Sequence, residues 1–181
     1  MARGATSREK ILQAAATLAF SEGAAHMSLD AVAARAGVSK GGLLYNFPNK
    51  SALMRALVEQ FIDRFRADLG ELSGAGATGD ELAILYQDLV IREMGEKASH
   101  ASGLLAALAE DPCLLEPLKQ FNRELVDEMT HDARDRGAVL ILFLVLEGLR
   151  AQQALGVEVL DEEERTIVLN KVRSLVSSDG T

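Results

Sequence analysis

Apolar residues recur every three or four positions through each long segment of this chain, and no long segment alternates apolar with polar. That spacing lines one face of an α-helix, whereas a half-buried strand needs alternation and favours Val, Ile, Thr and aromatics. Ala, Leu, Glu, Gln and Arg dominate instead, all good helix formers. An all-α fold is therefore expected. A chain of 181 residues buries roughly 70% of the surface that its unfolded form exposes, enough for a core without disulfides or structural metal. Cys113, the single cysteine, cannot form a bridge by itself.

Caps and breakers divide the chain into about nine helices. Ser7 caps the first, which carries Ile11, Ala15, Leu18 and Ala19 on one face and stops at Gly23. Ser28 caps a short second helix bearing Val32, Ala33 and Ala36, closed by Gly37. Ser39 caps a third, Lys40 to Phe47, which Pro48 ends. Helix, glycine-containing turn, helix is the spacing of a helix-turn-helix. Asn49 caps a longer helix with Leu53, Leu57, Phe61 and Phe65 four apart.

The stretch SGAGATG at 73–79 formally matches GxGxxG. A helix rather than a strand enters it, so it reads as an interhelical loop and not as a dinucleotide fingerprint. Beyond it, Asp80 caps a helix with Leu82, Leu85, Tyr86, Leu89, Val90 and Met94, and a shorter helix covers Ser102 to Glu110. Pro117 marks the start of a helix with Leu118, Phe121, Asn122, Leu125 and Met129, which continues through a charged, solvated stretch from Asp127 to Arg136.

Gly137 opens AVLILFLVLEGL, apolar on nearly every side, and Asp161 with three glutamates opens a last helix that ends near Lys171 and Arg173. A helix apolar all round needs cover on more than one side, and a second copy of the chain is the economical source. Leu142, Leu146 and Leu149, with Val168, Val172 and Leu175 of the last helix, are the expected residues of a twofold four-helix contact.

The formal net charge of −8 is unevenly spread. Within residues 1–50, Arg3, Arg8, Lys10, Arg35, Lys40 and Lys50 outnumber Glu9, Glu22 and Asp30, a net +3 that leaves −11 on the rest. A basic head on an acidic body suits a chain whose one end meets a polyanion. No charged-then-apolar leader is present, and the longest apolar run, Ala138 to Leu146, is far shorter than the roughly 20 residues that span a bilayer. A complete, cytoplasmic chain without membrane contact is expected.

His26, His100 and His131 are scattered, with no HExxH and no clustered carboxylate-histidine spacing. No metal, cofactor or catalysis is expected. Glu147, inside the apolar helix, would pair with Arg150 at i+3 or with a partner subunit.

Residues 28–50, SLDAVAARAGVSKGGLLYNFPNK, are preceded by ILQAA at 11–15 and the Gly23 stop, and followed by Leu53. In that register they closely resemble the DNA-binding head of the TetR/AcrR family of transcriptional regulators. The motifs cover about the first 55 residues; the remainder resembles the family only in helix order and in its final apolar pair. Two positions depart from the family pattern. Ala19 stands where an aromatic is usual, with Phe20 beside it, and Gly42-Leu43-Leu44 replaces Thr-Leu-Tyr, with tyrosine one place later at Tyr45. The third helix is thus a variant recognition helix.

The resemblance implies a helix-turn-helix DNA-binding domain at 1–48 and a helical regulatory and dimerisation domain at 49–181. It further implies a homodimeric repressor on double-stranded operator DNA, released when a small-molecule effector re-orients the heads through the fourth helix. By its own chemistry, the third helix would enter the major groove, with Lys40 and the first amides at phosphate and Gly41 and Gly42 permitting close approach. Tyr45 and Asn46 would reach base edges or flanking phosphates, and Lys50 would clamp a phosphate. Ser28 and Ser39 would cap, touch phosphate, or both, while Leu43, Leu44 and Phe47 pack the helix against its neighbours. Arg3 and Arg8 either follow DNA from an N-terminal arm or belong to an uninvolved tail.

In the body, Asn122 interrupts an apolar stripe, and Tyr86 and Gln87 would converge on it. Phe61, Phe65, Met94 and Leu104 would line the same ligand pocket, with ordinary core packing as the alternative reading. A dimeric regulator without a ligand and a helical adaptor without DNA are the competing functions.

Overall fold

The computed structural model describes residues 6–22, 27–74, 76–95 and 115–177. Every regular element among them is a helix: α1 (Ser7–Glu22), α2 (Leu29–Ala36), α3 (Lys40–Asn46), α4 (Lys50–Ser73), α5 (Gly79–Gly95), α6 (Leu115–Thr130), α7 (Arg136–Leu155) and α8 (Glu162–Ser177). The short helix expected at 102–110 lies outside the described residues.

Local chemistry sets the ends. Thr6, rather than Ser7, caps α1: its N–H donates to the Glu9 carboxylate at 2.7 Å, and the Glu9 N–H returns a bond to Thr6 Oγ1 at 3.3 Å. Ser28, Ser39 and Asn49 cap α2, α3 and α4 as expected, accepting at 3.1, 3.1 and 2.8 Å. Gly37 closes α2 at φ 66°, the left-handed conformation that glycine adopts without penalty. Thr78 and Glu81 form the box that opens α5, which frees Asp80 to take Arg134 Nε at 2.7 Å. α6 begins at Leu115, with Pro117 tolerated in its first turn, and ends at Thr130, so the charged run from Asp127 is a helix end and a connection rather than one face. Asp135 caps α7 ahead of Gly137, and Asp161 and Glu164 box the start of α8.

Gly79 belongs to α5 and not to the preceding loop, and packing requires glycine there. A Cβ there would collide with the Met129 carbonyl oxygen, because the start of α5 abuts the end of α6. Asp132 fixes the same junction by accepting the Gly79 N–H at 2.6 Å.

The chain divides into two compact units, the break falling within α4 between Ile62 and Asp63. The first holds α1 to α3 and the start of α4, with residues 115–118, around Ile11, Leu12, Ala15, Val32, Leu43, Leu53 and Val58. The second holds the rest of α4, then α5, α6 from Lys119, α7 and α8, around Phe65, Tyr86, Leu89, Val90, Met129, Leu142 and Leu146. By length and mean hydropathy of 1.6, α7 is long and apolar enough to cross a membrane. Its inward residues and its charged Glu147 and Arg150, however, are spent inside the second unit.

Candidate nucleic-acid interface

Leu43 and Phe47, both buried, anchor α3 against α1 and α2. Their position on the helix fixes which side faces out: Lys40, Gly41, Leu44 and Tyr45 form the exposed arc. Tyr45 is 91% exposed. Leu44 departs from the sequence expectation. It is 37% exposed rather than packed, because it lies a full turn from Lys40 on the outer face while Leu43 and Phe47 fill the inner one.

The polar groups of α3 are largely committed within the head. Lys40 Nζ sits 2.9 Å from Asp30 Oδ1, joining α3 to α2 across the turn. Both side chains are well exposed, so the pair contributes little stability and orients Lys40 rather than immobilising it. Asn46 Nδ2 donates to the Gly42 carbonyl at 2.8 Å, turning the amide back along its own helix. Ser28 and Ser39 use their oxygens as cap acceptors and keep their hydroxyl protons for donation. A Cβ at Gly41 would meet nothing within 4 Å, so nothing in the head demands glycine there; the space is on the outer side. Lys50 is half-buried in the first turn of α4. Arg8 lies on α1, with its guanidinium 5.4 Å from the Phe47 ring centre, and so is not part of a loose arm; Arg3 is outside the described residues.

Comparison with known proteins bears on this geometry directly. The family described as bacterial regulatory proteins, tetR family, matches residues 11–57, which span α1 to the first turns of α4. The tetracyclin repressor-like C-terminal domain matches residues 81–177, more than half of the chain. The chain belongs to the TetR family of transcriptional regulators. The HTH-type transcriptional regulator RutR of Escherichia coli (strain K12) is 32% identical over 130 residues, covering 70% of this chain and 60% of RutR. The chain thus spans about 60% of the length of the curated relatives it matches.

Among solved structures, regulator SCO7518 of Streptomyces coelicolor A3(2) is 28% identical with a TM-score of 0.70, covering 95% of this chain and 99% of its own. The multidrug binding protein EbrR, solved with malachite green, is 26% identical with a TM-score of 0.69, covering 91% and 96%. SCO4454 of Streptomyces coelicolor shares the fold at a TM-score of 0.76 and 20% identity, covering 94% of each chain.

The TetR-like body gathers some of its predicted ligand residues and separates others. Phe65 meets Tyr86 and Phe121 edge to face, with ring centres 5.8 and 5.9 Å apart, and Phe143 stacks on Tyr86 at 5.8 Å. The Tyr86 hydroxyl donates to Glu147 Oε1 at 2.8 Å, and Arg150 donates to the same oxygen at 3.2 Å. Arg150 also reaches Glu93 at 3.5 Å and lies 5.5 Å from the Phe65 ring centre. Burial pushes the Tyr86 phenol well above its ordinary value and raises the Glu93 carboxyl. Burial opposes the charge on Arg150, but Glu147, Tyr86 and Glu93 hold its value above normal.

Gln87 is fully buried but turns toward α8, donating to the Leu169 carbonyl at 2.9 Å; its Oε1 has no partner among the described residues. Tyr86 and Gln87 therefore do not converge on Asn122, which is half-buried on α6. Met94 is half-buried near the end of α5, Phe61 is half-buried in the first unit, and Leu104 lies outside the described residues. Glu93, Phe121, Phe143, Glu147 and Arg150 complete the cluster; only the Glu147–Arg150 spacing within an apolar helix signalled it in sequence. An open groove of about 590 Å³ elsewhere in this unit is lined by Asp80, Ile84, Leu85, Arg134 and Val176, and none of the ring-cluster residues borders it.

The residues expected at a subunit contact are mostly spent internally. Leu142, Leu146, Leu149 and Val172 are buried within the second unit, Val168 is half-buried, and Leu175 is 37% exposed. The outward face of α7 carries Ile141, Leu144, Gly148, Ala151 and Leu155 instead, and α8 adds exposed Ile167. In a helix apolar all round, residue size does not reveal which stripe its own chain will cover.

Proposed function

We propose that this TetR-family regulator is a homodimeric repressor that binds a palindromic operator through two α3 helices and is released by a small-molecule effector. The observation that carries the reading is the outward arc of α3, held in place by Leu43 and Phe47 and crowned by the exposed Tyr45. Residues 1–48 act as the DNA-binding head and 49–181 as the regulatory and dimerisation body of a cytoplasmic protein. Two half-sites about 34–36 Å apart require two heads. The exposed stripe Ile141, Leu144, Gly148, Ala151 and Leu155, with Ile167, supports pairing with a second copy, because its spacings of three and four suit helix-on-helix packing.

Effector control is supported by the aromatic and charged cluster around Tyr86, and by the similarity to EbrR, which binds malachite green. An effector entering that cluster would compete with the Tyr86–Glu147–Arg150 bonds and act on the heads through α4, which runs continuously from one unit into the other. A second reading, a regulator without ligand, is favoured by one observation: Phe65 and Tyr86 are already packed against each other with almost no exposure.

Selection of random duplex DNA by the purified protein at two salt concentrations tests the reading. Enrichment of a palindrome whose binding weakens with salt is the expected result, since phosphate contacts release counterions. A confirmed dimer that enriches no sequence would overturn it in favour of a helical adaptor.

A further inference from the structure

Several polar groups of α3 already have a partner within the head. Gly41 and Gly42 have no side chain, Lys40 is paired with Asp30, and the Asn46 amide is bonded to Gly42. What projects is Leu44, 37% exposed beside the empty space over Gly41, and Tyr45. Leu44 stands on the arc that would face the groove, where an apolar group within reach would remove its surface from water. The major groove offers one at its base edges, the C5-methyl of thymine.

We infer that Leu44 is a specificity-determining residue that recognises a thymine C5-methyl in each operator half-site. This rests on the DNA-binding reading and deepens it: apolar contact joins hydrogen bonding in selecting the operator. The space over Gly41, where a Cβ would meet nothing within 4 Å, leaves the outer side of the helix open next to Leu44.

Deoxyuridine in place of thymidine removes only the methyl group, so it isolates this contact. The test takes the operator enriched by the wild-type protein, replaces each thymine of one half-site in turn by deoxyuridine, and measures affinity by fluorescence anisotropy with wild-type and Leu44→Ala proteins. At one or two thymines the wild-type protein should lose about four-fold in affinity per half-site, the value of burying one methyl-sized group. Leu44→Ala should bind the thymine and deoxyuridine duplexes equally, while Tyr45→Phe keeps the discrimination. A merely structural role for Leu44 would weaken both duplexes alike and leave the thymine preference intact, which overturns the inference. An enriched half-site with no fixed thymine, or equal wild-type affinity for every deoxyuridine duplex, overturns it as well. Failure to enrich any duplex would instead remove the DNA-binding reading itself, so the two failures are distinguishable. Leu44 is partly exposed, so unchanged thermal unfolding of Leu44→Ala is the expected control.

Discussion

Arg150 illustrates how one side chain can hold several elements. It joins Glu147 on its own helix to Glu93 on α5 and covers the Phe65 ring on α4, all from a largely buried position. Replacing it by methionine keeps the apolar stem but leaves two carboxylates without their cation, and losing one partner of such a pair is costly. Arg150→Met should lower unfolding free energy by about 3 kcal/mol in urea titration, and adding Glu147→Gln should restore part of that loss. Equal stability of Arg150→Met and wild type would show that the cluster is solvated in solution.

Glu93 supplies a pH signature. Its folded-state carboxyl is raised above the ordinary 4.5 by burial. A raised folded value means that the native state holds the proton more tightly than the unfolded chain does. Its stabilising contribution is therefore complete below pH 4.5 and is lost as pH rises through the folded value. The urea midpoint of wild type relative to Glu93→Gln should accordingly fall as pH rises above 4.5; a difference that grows with pH would mean that the Arg150 contact outweighs burial.

In the proposed dimer, α7 is the element that decides assembly. Leu144 is 68% exposed and Leu146, two residues on, is fully buried, so the two leucines should separate cleanly in experiment. Leu144→Glu should yield a monomer by sedimentation with subunit stability changed by no more than about 0.5 kcal/mol, as for other surface substitutions. Leu146→Ala should destabilise by about 2–5 kcal/mol through the cavity it leaves. The same pair shows how far sequence reading reaches. Helix starts were legible because capping is local: Ser28, Ser39 and Asn49 each bond a backbone N–H three residues on. The inner and outer faces of α7 were not, because both are apolar and only the packing of α5 and α8 against it chooses between them. Leu44 was misplaced for a related reason: it sits beside Leu43 on a short helix, and which of the two faces inward is set by where α1 and α2 pack. The Lys40–Asp30 pair and the Thr6 and Thr78 caps needed only a closer look at charges and boxes already present in the sequence.

For the whole molecule, the charge asymmetry and the apolar stripe make a joint prediction about how DNA binding responds to salt. If, as proposed, the basic head carries the polyanion contact while the acidic body repels DNA, affinity comes from phosphates counted per head. Each phosphate neutralised contributes a slope of about −0.9 in log affinity against log salt. On the proposed reading, a wild-type dimer on a palindrome would engage two heads, whereas a Leu144→Glu monomer on a single half-site would engage one. The slope of the first should therefore be about twice that of the second, and the affinity gap between them should exceed the sum expected from independent heads, because linkage converts the second contact into an intramolecular one. Titrations across a range of salt on palindromic and half-site duplexes measure both quantities at once. Equal slopes would place the cation contacts outside the individual heads and remove the twofold stripe on α7 from the mechanism.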